Sequence, residues 1–243
     1  MAISDLHNKQ SALNLPSGDI LAVAGDMTAT GSYKELNDFA NFLSKEKPKF
    51  KKIVTVAGNH DLTFDREFYP KHGDKHHNPI LDCEKARAIF LNNKAITYLE
   101  DEQTELDNVK IWGSPWIPPI GPWAFTVYSD AHEQEMFQKI PENTDILITH
   151  TPPRDILDIF SNQVYFEDPE TKEQKMEIKL ENFGSKVLMD RVEVVKPKVH
   201  VFGHIHNCSG WLEKDGVVFI NASVMDNDNI PSNKPKLISI LLE

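Results

Sequence analysis

The chain has 243 residues, of which 40% are hydrophobic, and its 26 Lys and Arg against 37 Asp and Glu give a formal net charge of −11. This length and apolar content are enough to form a substantial buried core. The acidic balance argues against long nucleic acid as a partner, because a negative surface repels a phosphate backbone.

The N-terminal residues are polar and no long apolar run follows them, so we expect neither a signal peptide nor a membrane span. The two cysteines, Cys83 and Cys208, form no CxxC pair and no disulfide framework, which is typical of a reducing compartment and favours the cytoplasm. Two domains are arithmetically possible. Since no linker, repeat or low-complexity tract marks a boundary, we expect a single domain over residues 1–243.

Short apolar runs rich in β-branched residues, each ending in a polar or Gly-containing turn, predict buried strands. In chain order they are Met1–Ser4, Ile20–Ala24, Ile53–Ala57, Val109–Trp112, Asp145–Thr149, Lys198–Phe202, Val217–Ile220 and Leu237–Leu242. Helical spacing of apolar residues predicts helices at Ser32–Lys47, Glu84–Leu91, His132–Phe137 and Ser185–Val195. Strands that alternate with helices early and follow one another late predict an α/β fold with mixed sheets.

The segment Ser161–Lys179 looks like an insertion between His150 and His204. Its alternating apolar residues, which flank an Asp-Pro-Glu turn, indicate a β-hairpin. The charge density of the same segment favours a solvated loop instead.

Three polar blocks follow the first three predicted strands. Asp5 and His7 are alternate residues, and alternate residues at a strand end face the same side, where they could share a metal ion. Gly25-Asp26 ends the second strand and Gly58-Asn59-His60-Asp61 ends the third. Taken singly, each block also suits an ordinary surface pair, turn or helix cap.

Two further blocks follow later strands. His150 ends the run Asp145–Thr149, and Gly203-His204-Ile205-His206 follows Lys198–Phe202. A lone histidine is usually structural, and a single HxH motif is weak evidence by itself. Together, however, the five blocks offer carboxylate, amide and imidazole ligands without a thiolate, a set that suits Mn, Fe, Zn, Co or Ni.

The order DxH, GD, GNH with a following acid, a lone His and GHxH resembles the calcineurin-like metallophosphoesterase superfamily, and it extends from Asp5 to His206. The strings AGDMTATG, VAGNHDLTFD, IWGSPWIPP, DILITHTPP, VHVFGHIH and INAS are similar to the metallophosphoesterase-domain-containing branch, which is class III phosphodiesterase-like. This resemblance implies a four-layer α/β/β/α sandwich of two mixed β-sheets flanked by helices. It also implies a first strand longer than four residues, so a short one is expected to hold Asp5 and His7 less firmly.

Carried onto the matching positions, the resemblance implies two divalent metal ions, with manganese as the first choice and Fe, Zn, Co, Ni or Mg as alternatives. One ion is expected at Asp5, His7, Asp26 and His206. The other is expected at Asp26, Asn59, His150 and His204, with Asp26 bridging. His60 is expected to donate a proton to the leaving group, and Asp61 either orients that imidazole or caps the following turn. Asn59, His60 and Trp116 are expected to contact the substrate, although the aromatic loop around Trp116 also suits core or lid packing.

The implied reaction is hydrolysis of a small phosphodiester, cyclic nucleotides first, by a hydroxide that bridges the two ions and attacks phosphorus in line. A phosphomonoesterase or a pyrophosphate hydrolase in the same fold stays open, because the metals contact only the phosphate. A non-catalytic nucleotide-binding or scaffold protein is the third alternative. It is less favoured, since every expected ligand and His60 are present. Neither a membrane nor long nucleic acid is expected as a partner, and the sequence predicts no oligomeric state.

Overall fold

A computed structural model describes residues 1–167, 169 and 171–240, without the side chains of residues 162–166. Its strands are β1 (Ala2–Ile3), β2 (Gly18–Ala24), β3 (Phe50–Val56), β4 (Thr97–Tyr98), β5 (Glu102–Leu106), β6 (Val109–Ser114), β7 (Ile146–Thr149), β8 (Ile159–Glu167), β9 (Gln174–Asn182), β10 (Val199–Phe202), β11 (Gly210–Lys214) and β12 (Val217–Asn221). Its α-helices are α1 (Tyr33–Glu46), α2 (Tyr69–His72), α3 (Cys83–Leu91), α4 (Asp130–Gln138) and α5 (Lys186–Val195).

The strands form two large sheets and a separate hairpin. The first sheet has the order β1-β2-β3-β4 and is parallel throughout its described strands. The second has the order β11-β12-β10-β7-β6-β5, with parallel pairs at its centre and an antiparallel pair at each end. The α/β fold is confirmed. One of its sheets is mixed, while the other is parallel because helix-containing crossovers connect β2 to β3 and β3 to β4.

The two sheets pack face to face. Ala24 and Val56 of the first sheet share one buried cluster with Ile148 and Val201 of the second. Alternate residues of the same strands point the other way, where they meet α1 and α3 on one side and α4 and α5 on the other. The result is the α/β/β/α sandwich that the resemblance implied.

Helix α1 shows how local sequence defines an element. Ser32 and Glu35 form a reciprocal capping box at its N-terminus, and Leu36, Phe39, Ala40 and Leu43 bury its apolar face. Pro48 lies in the short 3₁₀ helix that follows. The helix predicted at Ser32–Lys47 is therefore confirmed, with Ser32 as the cap rather than the first helical residue.

The predicted elements differ from the structure in three places. Of segment 161–179, residues 161–167 and 174–179 pair in the antiparallel hairpin β8–β9, so the solvated-loop expectation is wrong and the hairpin indication is correct. Residues 237–240 form no strand, and the rest of the strand predicted there lies outside the described residues. Strands β4, β5 and β11 were not predicted, because these short or exposed strands contain no apolar run.

Within the described part of the chain, no helix is both long and apolar enough to cross a bilayer.

Candidate metal centre

The expected ligands lie at the carboxyl ends of five strands. Asp5 and His7 follow β1, Asp26 follows β2, and Asn59 follows β3 in the first sheet. His150 follows β7, and both His204 and His206 follow β10 in the second sheet. Because the two sheets stack with these ends at one edge, side chains far apart in sequence meet there.

Three of these residues, Asp5, His7 and His206, form the first ligand group, in which the candidate ligand atoms lie within 4.8 Å of one another. His206 Nε2 lies 3.6 Å from Asp5 Oδ1 and 3.4 Å from His7 Nε2. Two imidazole nitrogens that face each other at this distance can share at most one proton. A cation would satisfy the lone pairs that converge here, so this donor set fits a divalent metal.

The second ligand group consists of Asp26, His150 and His204, again with ligand atoms within 4.8 Å. His150 Nε2 lies 3.3 Å from Asp26 Oδ2 and 3.0 Å from Asn59 Oδ1. Asp26 Oδ2 also lies 3.8 Å from His7 Nε2 of the first group. The carboxylate of Asp26 therefore lies between the two groups, while its Oδ1 accepts a hydrogen bond from the His60 backbone N–H at 2.8 Å.

The backbone at these positions is not extended. Asp5, His7, Asp26 and His204 have φ angles of 54°, 42°, 49° and 68°. Left-handed conformations of non-glycine residues cost about 1–3 kcal/mol each and are typical of functional sites. Strand alternation, the reason expected from the sequence, therefore does not explain how Asp5 and His7 come together. Left-handed turns after the strands orient these side chains. As a result, His204 and His206 lie in different ligand groups.

Hydrogen bonds and glycines hold these turns. Asp5 N–H donates to the Gly25 carbonyl at 3.0 Å, and the carboxylate of Asp5 accepts from the His204 backbone N–H at 3.0 Å. Gly25 has a φ of 92°, and a Cβ built on it would lie 2.5 Å from His150 Nδ1. At Gly203 a Cβ would collide with Ser4 and with the carboxylate of Asp5. Both glycines are needed for close packing of the ligand loops.

Burial couples the charges of the site. Burial alone would raise the pKa of Asp26, but His150 and His60 hold it well below its ordinary value. Burial alone would lower the pKa of His150, yet the carboxylate of Asp26 raises it to about 9. At His204 burial and the neighbouring His150 lower the pKa to about 3. The metal-free centre thus holds the carboxylates of Asp5 and Asp26 as anions beside the protonated imidazole of His150, and keeps His204 neutral, ready to act as a ligand.

Asp61 does not orient His60, contrary to one of the two expectations. Its carboxylate accepts hydrogen bonds from Thr28 N at 2.9 Å, Thr28 Oγ1 at 2.7 Å and Gly58 N at 2.9 Å. Its side chain caps no helix either, although Asp61 precedes a 3₁₀ helix. The side chain ties the turn after β2 to the turn after β3, and burial together with Asp26 raises its pKa to about 6. The partner of His60 Nδ1 is the carbonyl of Ala29, at 3.0 Å.

The indole that contacts His60 is that of Trp123, whereas the expected contact of Trp116 with the substrate stays a prediction. The rings of Trp123 and His60 lie 4.3 Å apart between centroids. Trp116 donates from Nε1 to Asp101 Oδ2 at 2.8 Å and packs edge-on against His132. Both indoles line a cleft of about 220 Å³ together with Phe68, His72, Tyr128 and His132. The aromatic loop indicated that an indole lies near the site, but not which one.

Asn221 is a supporting residue whose role the sequence left open. It directly follows the apolar run of β12, and its Nδ2 donates to the Ile205 carbonyl at 2.9 Å. It thereby holds the loop between His204 and His206. The signal in the sequence was its position at a strand end.

Carboxylates, an amide and imidazoles gathered at one edge of a stacked pair of sheets form a candidate centre for metal-dependent hydrolysis. The family model for calcineurin-like phosphoesterases matches residues 1–208, and the chain belongs to this family. Members of the family act on phosphate esters with divalent metals, so the coarse activity expected from the sequence is confirmed.

Relatives agree with this assignment. The chain is 31% identical to human metallophosphoesterase domain-containing protein 1 over 249 residues, which is 99% of this chain and 70% of the relative. It is 32% identical to a UPF0046 protein of Caenorhabditis elegans over 238 residues, which is 97% of this chain and 72% of that protein. One crystal structure superposes with a TM-score of 0.53 over 90% of this chain and 88% of the other. At 14% identity that likeness shows the fold alone.

Proposed function

We propose that the chain is a phosphodiesterase of small esters, with cyclic nucleotides as the first candidates, and that it works with two divalent cations, manganese first. One cation would bind Asp5, His7, Asp26 and His206. The other would bind Asp26, Asn59, His150 and His204. The observation that carries the proposal is the position of the Asp26 carboxylate, within 3.8 Å of His7 Nε2 and 3.3 Å of His150 Nε2.

When bound there, divalent cations supply Lewis acidity, which lowers the pKa of water and offsets the charge of phosphoryl oxygens. The chain itself supplies orientation and a proton. His60 Nδ1 faces the carbonyl of Ala29, so its Nε2 is the atom available to the departing ester oxygen. The amide of Asn59 adds a dipole beside His150.

The charge of the ester separates the leading alternatives. A diester carries one negative charge, whereas a monoester carries up to two and is usually held by additional cationic side chains. Esters of different charge therefore test the proposal directly.

The cleft beside Trp123 supports a substrate that carries an aromatic group on its leaving-group side. Trp123 contacts His60 and also lines the cleft, which places an indole next to the proposed proton donor. A nucleobase can stack on such a face, a contact worth about 1–3 kcal/mol per base. Within this proposal Trp123 is the stacking residue, and Trp116 forms the wall of the cleft.

The activity test compares esters of different charge. The protein is assayed with Mn²⁺, Zn²⁺, Mg²⁺ and no metal on bis-p-nitrophenyl phosphate, p-nitrophenyl phosphate, pyrophosphate, and 2′,3′- and 3′,5′-cyclic nucleotides. We expect metal-dependent hydrolysis of diesters that exceeds hydrolysis of monoesters. A preference for p-nitrophenyl phosphate or pyrophosphate would contradict the proposal in favour of those alternatives.

A second test concerns the stacking residue. Trp123→Ala is expected to raise KM for cyclic nucleotides by about 5- to 100-fold, and to leave KM for the base-free diester glycerol 1,2-cyclic phosphate unchanged. Trp211→Ala, a change at an exposed indole on β11, is the matched control. Equal losses on both esters would mean that Trp123 only supports His60.

We further propose a cytoplasmic location, which the free thiols of Cys83 and Cys208 support.

A further inference from the structure

The hairpin β8–β9 stands apart from the two large sheets. Within the described residues β9 pairs with β8 alone, so no strand lies along its other edge. Residues Gln174–Glu181 are exposed along their whole length. An exposed strand edge of this length is a template for pairing with another strand.

The base of the hairpin is fixed to the body. The Ile159 carbonyl accepts hydrogen bonds from Asn207 Nδ2 at 2.9 Å and from Cys208 Sγ at 3.1 Å. At the other strand, Asn182 Nδ2 donates to Asp158 Oδ1 at 2.9 Å, and Arg154 donates to the Asn182 carbonyl. The hairpin therefore projects from a defined root rather than hanging from a linker.

The two faces of β9 differ in chemistry. Met176, Ile178 and Leu180 lie on one face, with 49%, 58% and 68% of their surface exposed. The intervening residues alternate in charge along the other face, in the order Lys175, Glu177, Lys179 and Glu181. Charges at an edge strand normally block pairing with another copy. Charges of alternating sign block this pairing only in the registers that set like charges opposite each other.

In one register β9 is complementary to itself. When two copies run antiparallel about an axis through Ile178, Ile178 meets Ile178 and Met176 meets Leu180. The same axis sets Glu177 opposite Lys179 and Lys175 opposite Glu181, while Gln174 meets Asn182. Each opposite-charge or apolar cross-strand pair is stabilising, and the twofold axis produces every such pair twice.

Other registers are worse. An axis through Glu177 sets Lys175 opposite Lys179, and an axis through Lys179 sets Glu177 opposite Glu181. Axes through Met176 or Leu180 keep opposite charges together, but they leave part of β9 without a partner residue. The axis through Ile178 is the one that pairs the whole strand from Gln174 to Asn182.

We propose that β9 is a homodimer interface, in which a second copy of this chain adds its own β9 antiparallel about a twofold axis at Ile178. The contact makes one four-stranded sheet from two hairpins. It pairs the exposed backbone edge and brings the apolar side chains of the two copies together. This inference is independent of the metal centre and of the substrate.

Disulfide trapping tests the register. Ile178→Cys is expected to form a disulfide-linked dimer under mild oxidation, since the two Cα atoms would lie at the separation of opposed residues, within the range a disulfide spans. Met176→Cys alone is expected not to, because four residues separate each Met176 from its copy along the strand, about 14 Å. A mixture of Met176→Cys and Leu180→Cys is expected to cross-link again. The wild-type chain controls for Cys83 and Cys208 on non-reducing gels.

Charge exchange tests the same interface without cross-linking, by sedimentation equilibrium over a range of concentrations. Lys179→Glu sets Glu177 opposite a glutamate twice and is expected to weaken dimerisation on the order of tenfold or more. Adding Glu177→Lys restores opposite charges and is expected to restore the dimer. Lys45→Glu makes the same charge change on α1 and is expected to have no effect.

Circular dichroism and hydrolytic activity show whether each variant is folded, since the hairpin holds no residue of the proposed active centre. Sedimentation of the wild-type chain as a monomer at every concentration would overturn the proposal. Cross-linking of Met176→Cys as efficient as that of Ile178→Cys would also overturn it, as would a double charge exchange that stays as weak as Lys179→Glu.

Discussion

His60 and Asp26 are neighbours with different proposed tasks. His60 Nδ1 is held by a backbone carbonyl, and its backbone N–H holds one oxygen of Asp26. The ring of His60 also lies within reach of His7 and Asp26, as a ligand would. Substitution separates a proton donor from a ligand, because a donor is needed for turnover and a ligand is needed for metal content.

Replacement of His60 by alanine is expected to leave both metals bound and to reduce kcat by about 10²–10⁴, the typical contribution of general acid catalysis. Metal content by inductively coupled plasma mass spectrometry and turnover of a diester are measured on the same sample. A loss of one metal in parallel with activity would make His60 a ligand instead. An ester whose leaving group needs no proton, such as bis-p-nitrophenyl phosphate, should show a smaller loss than a cyclic nucleotide.

Asp26→Asn is expected to reduce the occupancy of both metal positions, because the substitution removes the negative charge that lies between the two ligand groups. Asp61→Asn is the informative comparison. It changes a buried carboxylate that contacts only the turns after β2 and β3, so a smaller loss of metal affinity is expected than in Asp26→Asn. Isothermal titration with Mn²⁺ measures both. If Asp26→Asn bound two metal ions with wild-type affinity, the bridging role of Asp26 would be contradicted.

Elements set where these residues lie. Strand β1 has only two residues, yet Asp5 is fully buried and its N–H is hydrogen-bonded to the Gly25 carbonyl. Isolated bridges join Ala2 of this strand to Lys236, and Ser4 just after the strand to Ser223. The expectation that a short first strand would loosen Asp5 is therefore wrong, since neighbouring loops supply the hydrogen bonds that a longer strand would have supplied.

The cap of α1 is a testable element. Ser32→Ala removes the acceptor of the Glu35 N–H and is expected to lower the free energy of unfolding by about 1 kcal/mol. Ser44→Ala in the same helix is the matched control. The Ser44 hydroxyl donates back to the Ala40 carbonyl and accepts from the exposed Asn93 amide, neither of which caps the helix, and alanine is the better helix former, so a smaller loss than in Ser32→Ala is expected. Urea unfolding followed by circular dichroism measures both, and equal midpoints for the two variants would contradict the capping role.

Strand β10 carries a pH-sensitive group in its interior. His200 is fully buried, its Nε2 lies 2.8 Å from Thr149 Oγ1, and burial lowers its pKa from 6.5 to about 3. Between about pH 6.5 and 3, His200 therefore binds a proton in the unfolded chain but not in the folded chain. The unfolding free energy is expected to fall as pH decreases from about 6.5 towards 3.

His200→Gln removes this proton uptake, and the variant is expected to lose less stability than the wild type over the same pH range. Both proteins are unfolded in urea in the presence of a chelator, so that metal release does not contribute to the difference. Parallel stability curves for the two proteins across that range would exclude His200 as the source.

At the scale of the molecule, the metal centre joins the two sheets. Asp5, His7, Asp26 and Asn59 come from the first sheet, and His150, His204 and His206 come from the second. Elsewhere the inner faces of the two sheets pack through an apolar cluster. A bound cation would thus add a cross-link at one edge of that interface. A single domain over residues 1–243 stays a prediction, although this arrangement favours it.

Removal of metal is therefore expected to lower thermal stability. At a metal concentration 100 times Kd, binding adds about 2.7 kcal/mol, which corresponds to roughly 5–10 °C in Tm for a chain of this size. Differential scanning calorimetry with saturating Mn²⁺ and with a chelator measures the shift, and Asp26→Asn should shift less. An unchanged Tm in a wild-type protein shown to bind metal would refute the cross-link between the sheets.

The sequence by itself determined the features that depend on neighbouring residues. Apolar runs specified the central strands, Ser32 and Ser185 marked helix starts, and the order of the five polar blocks indicated the family. These signals are local, because strand burial and helix capping involve residues only a few positions apart.

The tertiary structure alone decided which distant groups meet. The left-handed turns at Asp5 and His204, the contact of Trp123 with His60, and the hydrogen bonds from Thr28 to Asp61 all depend on how separate loops pack. Local periodicity carries no information about such contacts, since each is fixed by the crossing of chain segments tens of residues apart. The same reason explains why segment 161–179 could be indicated as a hairpin from sequence, whereas its projection from the body required the fold.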